Sequence, residues 1–122
     1  MDVGQSTANA LYQQATSGTF RLEEGAARRC AEVYTRFVDK TVEPALKTAL
    51  RFERHEGFGA LGSAVELAGG FDNKWSSMID ALTGMKVAAL KMAAAYLRAS
   101  KLIDESDDMN KRSIAATVRQ GK

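Results

Sequence analysis

Apolar residues recur at helical spacing in two long stretches of the chain, and a glycine-rich segment separates the two. Between residues 20 and 54, the apolar positions follow one another at steps of three and four, which buries one face of a helix. The second stretch has a heptad pattern without a skip. This seam consists of Phe71, Trp75, Met78, Leu82, Met85, Ala89, Met92, Tyr96, Ala99 and Ile103. The pattern predicts two long helices.

The segment between the two stretches carries the clearest turn signal. Three glycines fall within six residues, which ends the first helix and permits a reversal of the chain. We expect Gly57, Phe58 and Gly59 to form this turn. Ser63 and Glu66 then match a capping box that opens the second helix. The two helices should therefore lie antiparallel.

The predicted organisation has three parts. They are a flexible N-terminal arm over residues 1–16, a helical hairpin over residues 17–108 and a flexible C-terminal tail over residues 109–122. Within the hairpin, the first helix covers about residues 19–55, the turn about 56–62 and the second helix about 63–107. Pro44 removes one backbone donor from the first helix. It predicts a kink near Thr41, which we favour over a new helix start at that residue.

The apolar stripe on the second helix is wider than a two-stranded seam requires, because Ile79, Leu90 and Leu97 flank it. Fully burying one large apolar side chain contributes roughly 1.5–3 kcal/mol, and a lone hairpin leaves part of the stripe wet. We therefore expect an all-α antiparallel hairpin that dimerises into a four-helix bundle. The expected interface residues are Phe71, Trp75, Met78, Leu82, Met85, Met92 and Tyr96. The partner is a second copy or another small helical hairpin.

Composition excludes several classes of function and names none. A length of 122 residues supports one domain. The 17 Lys and Arg residues against 15 Asp and Glu residues give a net charge of +2, which is too small to indicate nucleic acid or an anionic membrane. Cys30 is the single cysteine, so no internal disulfide forms. With His55 as the single histidine, too few soft ligands remain for a zinc site.

The sequence carries no pattern typical of catalysis. It contains no nucleophile–base pair and no phosphate-binding glycine loop. We therefore expect no catalytic residue, no cofactor, no metal and no small-molecule substrate. Basic residues share roughly one side of the first helix, with Glu43 and Glu53 between them: Arg36, Lys40, Lys47, Arg51 and Arg54. We interpret this side as a solvated face of mixed charge and place nucleic-acid binding last among the alternatives.

The N-terminus lacks the basic start and apolar core of a cleavable signal peptide. The most apolar stretch, residues 85–97, contains Lys86 and Lys91. It is also shorter than the roughly 20 apolar residues that span a bilayer. We expect no transmembrane segment, and a protein that is either cytoplasmic or secreted without a cleavable signal peptide.

Over roughly residues 17–108, the chain resembles the WXG-type helical-hairpin proteins of type VII secretion systems. The features that carry the resemblance are the hairpin layout, the Gly57-Phe58-Gly59 turn and the segments at residues 70–74 and 94–97. The resemblance implies a hairpin that dimerises into a four-helix bundle and is exported folded, often as a heterodimer. It also implies a secretion ATPase that recognises a C-terminal signal.

The chain departs from the WXG pattern at both signature motifs. Trp75 lies within the predicted second helix, and Ser77 replaces the glycine of the Trp-x-Gly turn. Ile103 replaces the tyrosine of the export signal, whereas Asp107 keeps its acid four residues later. The expected function is that of a divergent secreted protein or partner subunit, acting by helix packing. It is exported with a signal-bearing partner or through Ile103 and Asp107. The alternatives are a cytoplasmic adaptor or chaperone and a nucleic-acid-binding helical protein.

Overall fold

A computed structural model describes the backbone of residues 1–53 and 62–120 and the side chains of residues 1–53 and 74–117. Over these residues the chain is all-helical, which confirms the predicted class. The helices are α1 (Gln5–Ser17), α2 (Glu24–Phe37), α3 (Glu43–Glu53), α4 (Gly62–Ala99) and α5 (Ile103–Gln120). A π-helical turn over Val38–Val42 joins α2 to α3. The predicted hairpin of two helices therefore does not describe the whole fold.

Helix α4 is the centre of the fold, and α1, α2, α3 and α5 each pack against it. Its C-terminal half is rich in buried alanine: Ala88, Ala89, Ala93, Ala94, Ala95 and Ala99. A helix that is apolar on all sides is surrounded by other helices. Small side chains also allow the neighbouring helix axes to approach closely. The alanine run thus explains how several helices fit around one.

The predicted flexible arm over residues 1–16 is wrong, because residues 5–17 form α1. The buried residues of α1 are Ala8 and Ala15, which lie two turns apart. Gly18 ends the helix in the left-handed conformation, with φ of 86°, and its N–H donates to the carbonyl of Ala15. The rest of α1 is largely polar, so the hydrophobic pattern contains little trace of the helix.

The first predicted helix begins later than residue 19. Glu23 is the N-cap of α2, and its carboxylate accepts a hydrogen bond from the backbone N–H of Gly25. Thr19 instead belongs to the end of α1, because its hydroxyl donates to the carbonyl of Gln14 at 3.1 Å. Residues 18–23 are therefore a connection between two helices.

At the position of the kink predicted near Thr41, the structure has the π-helical turn over Val38–Val42. The N–H of Glu43 donates to the carbonyl of Val38, five residues back. Pro44 has no N–H to donate to the carbonyl of Lys40, and its ring crowds that carbonyl. Shifting the ladder by one residue accommodates the proline, and the helical path then continues into α3.

The second predicted helix ends at Ala99, eight residues before the predicted end at about 107. Lys101 adopts a left-handed conformation with φ of 64°, and α5 then runs back along α4. The Ser106 hydroxyl donates to the carbonyl of Ala94 at 2.8 Å, and the Ser113 hydroxyl to that of Val87 at 2.9 Å. The predicted flexible tail over residues 109–122 is therefore wrong as far as residue 120, because Ile103–Gln120 is a helix.

The predicted turn at Gly57, Phe58 and Gly59 lies outside the described residues. On either side of it, α3 and α4 run antiparallel. Glu43 pairs with Lys86 at 2.5 Å, and Glu53 accepts a hydrogen bond from Ser76 at 3.0 Å. We call α3 together with residues 74–79 of α4 the distal pair. We call α1, α2, α5 and residues 88–99 of α4 the helical body.

Candidate interaction groove

One face of α4 lies at the bottom of a groove between the start of α1 and helix α2. The groove has a volume of about 410 Å³. Its lining residues are Val3, Gly4 and Thr7 on one wall, Tyr34 and Phe37 on the other, and Met85, Ala88, Ala89 and Met92 on the floor. We call it the methionine groove. Met85 and Met92 belong to the predicted seam, so part of that seam forms a concave apolar surface.

Tyr96 follows Met92 by one helical turn on α4, toward the C-terminus of that helix. Its ring contacts Phe20 edge-on at 5.7 Å and stacks on Tyr34 at 5.8 Å between ring centroids. Burial raises the pKa of Tyr96, and the neighbouring Tyr34 adds to the shift. The structure thus places this predicted interface residue among aromatic rings of its own chain.

The opposite end of the seam is open. Met78 is 47% exposed, and Leu82 is half-buried. Trp75 stacks on Phe52 of α3, with 5.1 Å between ring centroids and an angle of 10° between the planes. The indole Nε1 of Trp75 is buried and has no hydrogen-bond partner among the described residues. The side chain of Phe71 lies outside the described residues.

Exposed apolar side chains also lie on α2 and α5. Val33 and Phe37 are 64% and 39% exposed and lie one turn apart on α2, where Phe37 forms the rim of the methionine groove. On α5, Ile103 is exposed and Asp107 is half-buried. These two residues of the predicted export signal are also one helical turn apart, in the first two turns of α5. They therefore share a face of the helix.

Ion pairs on the surface join α5 to α2 and to the π-helical turn. Arg28 contacts Glu105 at 2.6 Å, and this carboxylate raises the pKa of the arginine. Arg112 lies 3.5 Å from Asp39. Both pairs are largely exposed, so each contributes little to stability. The packing of α5 against α4 therefore does not depend strongly on these two pairs.

The basic side of the first predicted helix is mixed in charge. Arg36 pairs with Glu32 at 2.8 Å. Lys40 and Lys47 are exposed, and Arg54 lies outside the described residues. Acidic side chains thus lie among the basic ones, which dilutes any attraction for phosphates.

Chemistry-bearing groups are sparse in the described part of the chain. Cys30 is a free, half-buried cysteine. Among the described residues, no three His, Cys, Asp or Glu side chains lie close enough together to hold a metal ion. Within the same residues, no helix combines the length and apolar character needed to cross a membrane.

Three features of this region have only weak signals in the sequence. The polar helix α1 provides one wall of the groove, and its signal is the spacing of Ala8 and Ala15. The return helix α5 has a similar signal in Ser106 and Ser113, both buried and also seven residues apart. The run of alanines in α4 indicates a helix surrounded on several sides, which a single seam does not represent.

Comparisons of the chain with protein-family models, with curated proteins and with solved structures found no match.

Proposed function

We propose that the protein is a non-enzymatic helical binding protein whose distal pair packs against the distal pair of a second copy. The observation that carries this proposal is the change in burial along α4. From residue 74 to residue 82, every side chain is exposed or half-buried. From residue 88 to residue 99, most are buried beneath α1, α2 and α5. The first segment includes the large apolar side chains of Trp75, Met78 and Ile79, which gain from further burial.

A second copy is the occupant that best matches this surface. The distal pair is a two-helix layer, and two such layers give a four-helix arrangement. A twofold axis would bring identical patches together, so that the same residues contact their own counterparts. Trp75 lies in this patch, half-buried and stacked on Phe52. Trp is a frequent anchor at the centre of such interfaces.

The resemblance to WXG-type proteins supports a more specific setting for this packing role. In that setting the protein is a secreted protein or partner subunit of a type VII system, alone or with another helical hairpin. Ile103 and Asp107 would then be presented to the secretion ATPase from one face of α5. Helices α1 and α5 are additions to the hairpin layout of that resemblance, and they leave Met78 of the distal pair 47% exposed.

Light scattering after size-exclusion chromatography tests the packing role. The wild-type chain should have twice the mass of a single 13.2 kDa chain at micromolar concentration. Met78→Glu places a charge in the proposed interface and should give a monomer. Ile114→Glu changes an exposed apolar residue on α5 and should stay dimeric. A monomeric wild type, or equal effects of the two variants, would contradict the proposal.

A secretion assay tests the type VII setting separately. The protein is expressed in a host with an intact type VII system and in the same host without the secretion ATPase. Export should require the ATPase and should fall at least about tenfold in the double variant Ile103→Ala, Asp107→Ala. Ile114→Ala is the matched control on the same helix. Dimerisation without export would leave a cytoplasmic adaptor or chaperone as the function of the same surface.

A further inference from the structure

Lys91 connects three helices near the middle of the helical body. Its Nζ lies 2.5 Å from the amide oxygen Oδ1 of Asn110 on α5. The same atom lies 4.0 Å from the centroid of the Tyr12 ring on α1, which is a cation–π contact. The side chain is half-buried. The ammonium therefore has one neutral acceptor and one ring face as its described partners.

A second half-buried lysine on α4 shows what Lys91 lacks. Lys86 pairs with the carboxylate of Glu43 at 2.5 Å. Among the described residues, Lys91 has no carboxylate within ion-pair distance. Burial accordingly lowers the pKa of the Lys91 ammonium. A charge that is partly removed from water is stabilised when an opposite charge pairs with it.

An open cavity of about 490 Å³ lies beside this ammonium, and its lining residues on α1 are mostly exposed. It is lined by Asn9, Tyr12, Gln13, Thr16, Ser17 and Lys91. The hydroxyls of Thr16 and Ser17 already donate to backbone carbonyls of α1. The carboxamides of Asn9 and Gln13 also line this cavity, and both are exposed, so their N–H groups can exchange water for a bound acceptor.

We propose that this cavity binds one carboxylate group, with Lys91 as its charge partner and Asn9 and Gln13 as hydrogen-bond donors. The lining contains a single positive charge and no arginine, which matches a monoanion. A phosphate is more commonly held by several charges, or by the paired N–H groups of arginine. The carboxylate belongs either to a free small acid or to the C-terminus of a peptide. This site is separate from the proposed dimer interface.

An NMR titration tests the site with defined probes. Sodium acetate is added to the folded chain at constant ionic strength against sodium chloride, and the side-chain resonances of Lys91 and the amide resonances of Asn9 and Gln13 are followed. We expect a saturable shift and a rise in the pKa of Lys91. Lys91→Met keeps the apolar stem and should weaken binding at least about tenfold. Lys111→Met removes an exposed charge from α5 and should leave the titration unchanged.

Two further probes identify the source of the carboxylate and test whether the site prefers a carboxylate to a phosphate. Tighter binding of N-acetylglycylglycine than of acetate assigns the site to a peptide C-terminus, whereas equal or weaker binding assigns it to a free acid. Inorganic phosphate that binds as tightly as acetate would overturn the assignment to a monocarboxylate. A response of Lys91→Met equal to that of wild type, or no saturable response to acetate, would overturn the site itself.

Discussion

The two ends of α4 differ in the size and the burial of their apolar side chains. In the helical body, α4 has alanines on its surface, and α1, α2 and α5 approach it closely enough to bury Ala93, Ala94 and Ala95 completely. At the distal pair, α4 carries Trp75 and Met78, and Met78 is 47% exposed. Small side chains occur where the chain supplies its own neighbours. Large apolar side chains remain where α3 is the neighbouring helix.

The two segments of α4 therefore have different roles, folding of the single chain in the helical body and association with a second chain at the distal pair. Buried apolar area in the helical body contributes to folding of the single chain. The same type of area at the distal pair contributes to association, because it becomes buried when a second chain arrives. Substitutions at the two ends should therefore affect different measurements.

The largest expected effect comes from a cavity in the helical body. Leu90 is 0% exposed and packs with Val38 and Ala89, so Leu90→Ala should lower the free energy of unfolding by about 2–5 kcal/mol. Met78→Ala removes an apolar side chain of similar size from the distal pair. Below the concentration at which the chain dimerises, it should change stability by less than about 1 kcal/mol. Urea unfolding measures the free energy of unfolding of both variants. Similar losses of stability would contradict the difference between the two ends of α4.

A charge beneath α1 should produce a smaller and more local effect. Ala8 is fully buried, so Ala8→Asp should release α1 from α4 while α2 and α5 stay in place. The protection of the amides of residues 5–17 against hydrogen exchange should then fall at least about tenfold. Ala10→Asp places the same side chain on the exposed side of α1 and serves as the control. Uniform loss of protection across all helices would show that α1 is essential to the whole body.

The hydroxyl contacts of α5 should give the smallest effect. Ser106→Ala removes the hydrogen bond to the carbonyl of Ala94 and should cost about 0.5–1.5 kcal/mol of stability. Ser77→Ala removes an exposed hydroxyl in the distal pair and should be close to neutral. Thermal unfolding of the two variants makes the comparison. A neutral Ser106→Ala would mean that this hydrogen bond does not help to hold α5 against α4.

The sequence contains a strong signal for α4 and a weak one for the helices around it. The heptad seam predicts the second long helix, and Pro44 predicts a kink near Thr41, where the π-helical turn lies. Helices α1 and α5 pack through small residues, Ala8 with Ala15 and Ser106 with Ser113. These side chains add little hydrophobicity, so a search for apolar periodicity does not distinguish their helices from polar, flexible segments.

Only the α4 side of the methionine groove was predictable from the sequence. Met85 and Met92 of the predicted seam line its floor, as heptad spacing requires for residues on one face. Its α1 wall depends on Val3 and Thr7, which precede or lie on a helix with no strong pattern. The contacts of Lys91 were not predictable either, because they join α4 to Tyr12 on α1 and to Asn110 on α5. Long-range pairing of polar residues has no periodic signature in a single sequence.

Hydrogen exchange at several protein concentrations tests the difference between the two ends most directly. As the concentration rises through the dimerisation range, the amides of α3 and of residues 74–79 should gain protection. The amides of residues 88–99 should keep the same protection throughout, because the chain itself buries them. Protection that does not depend on concentration at the distal pair, or that rises equally in both segments, would contradict the account.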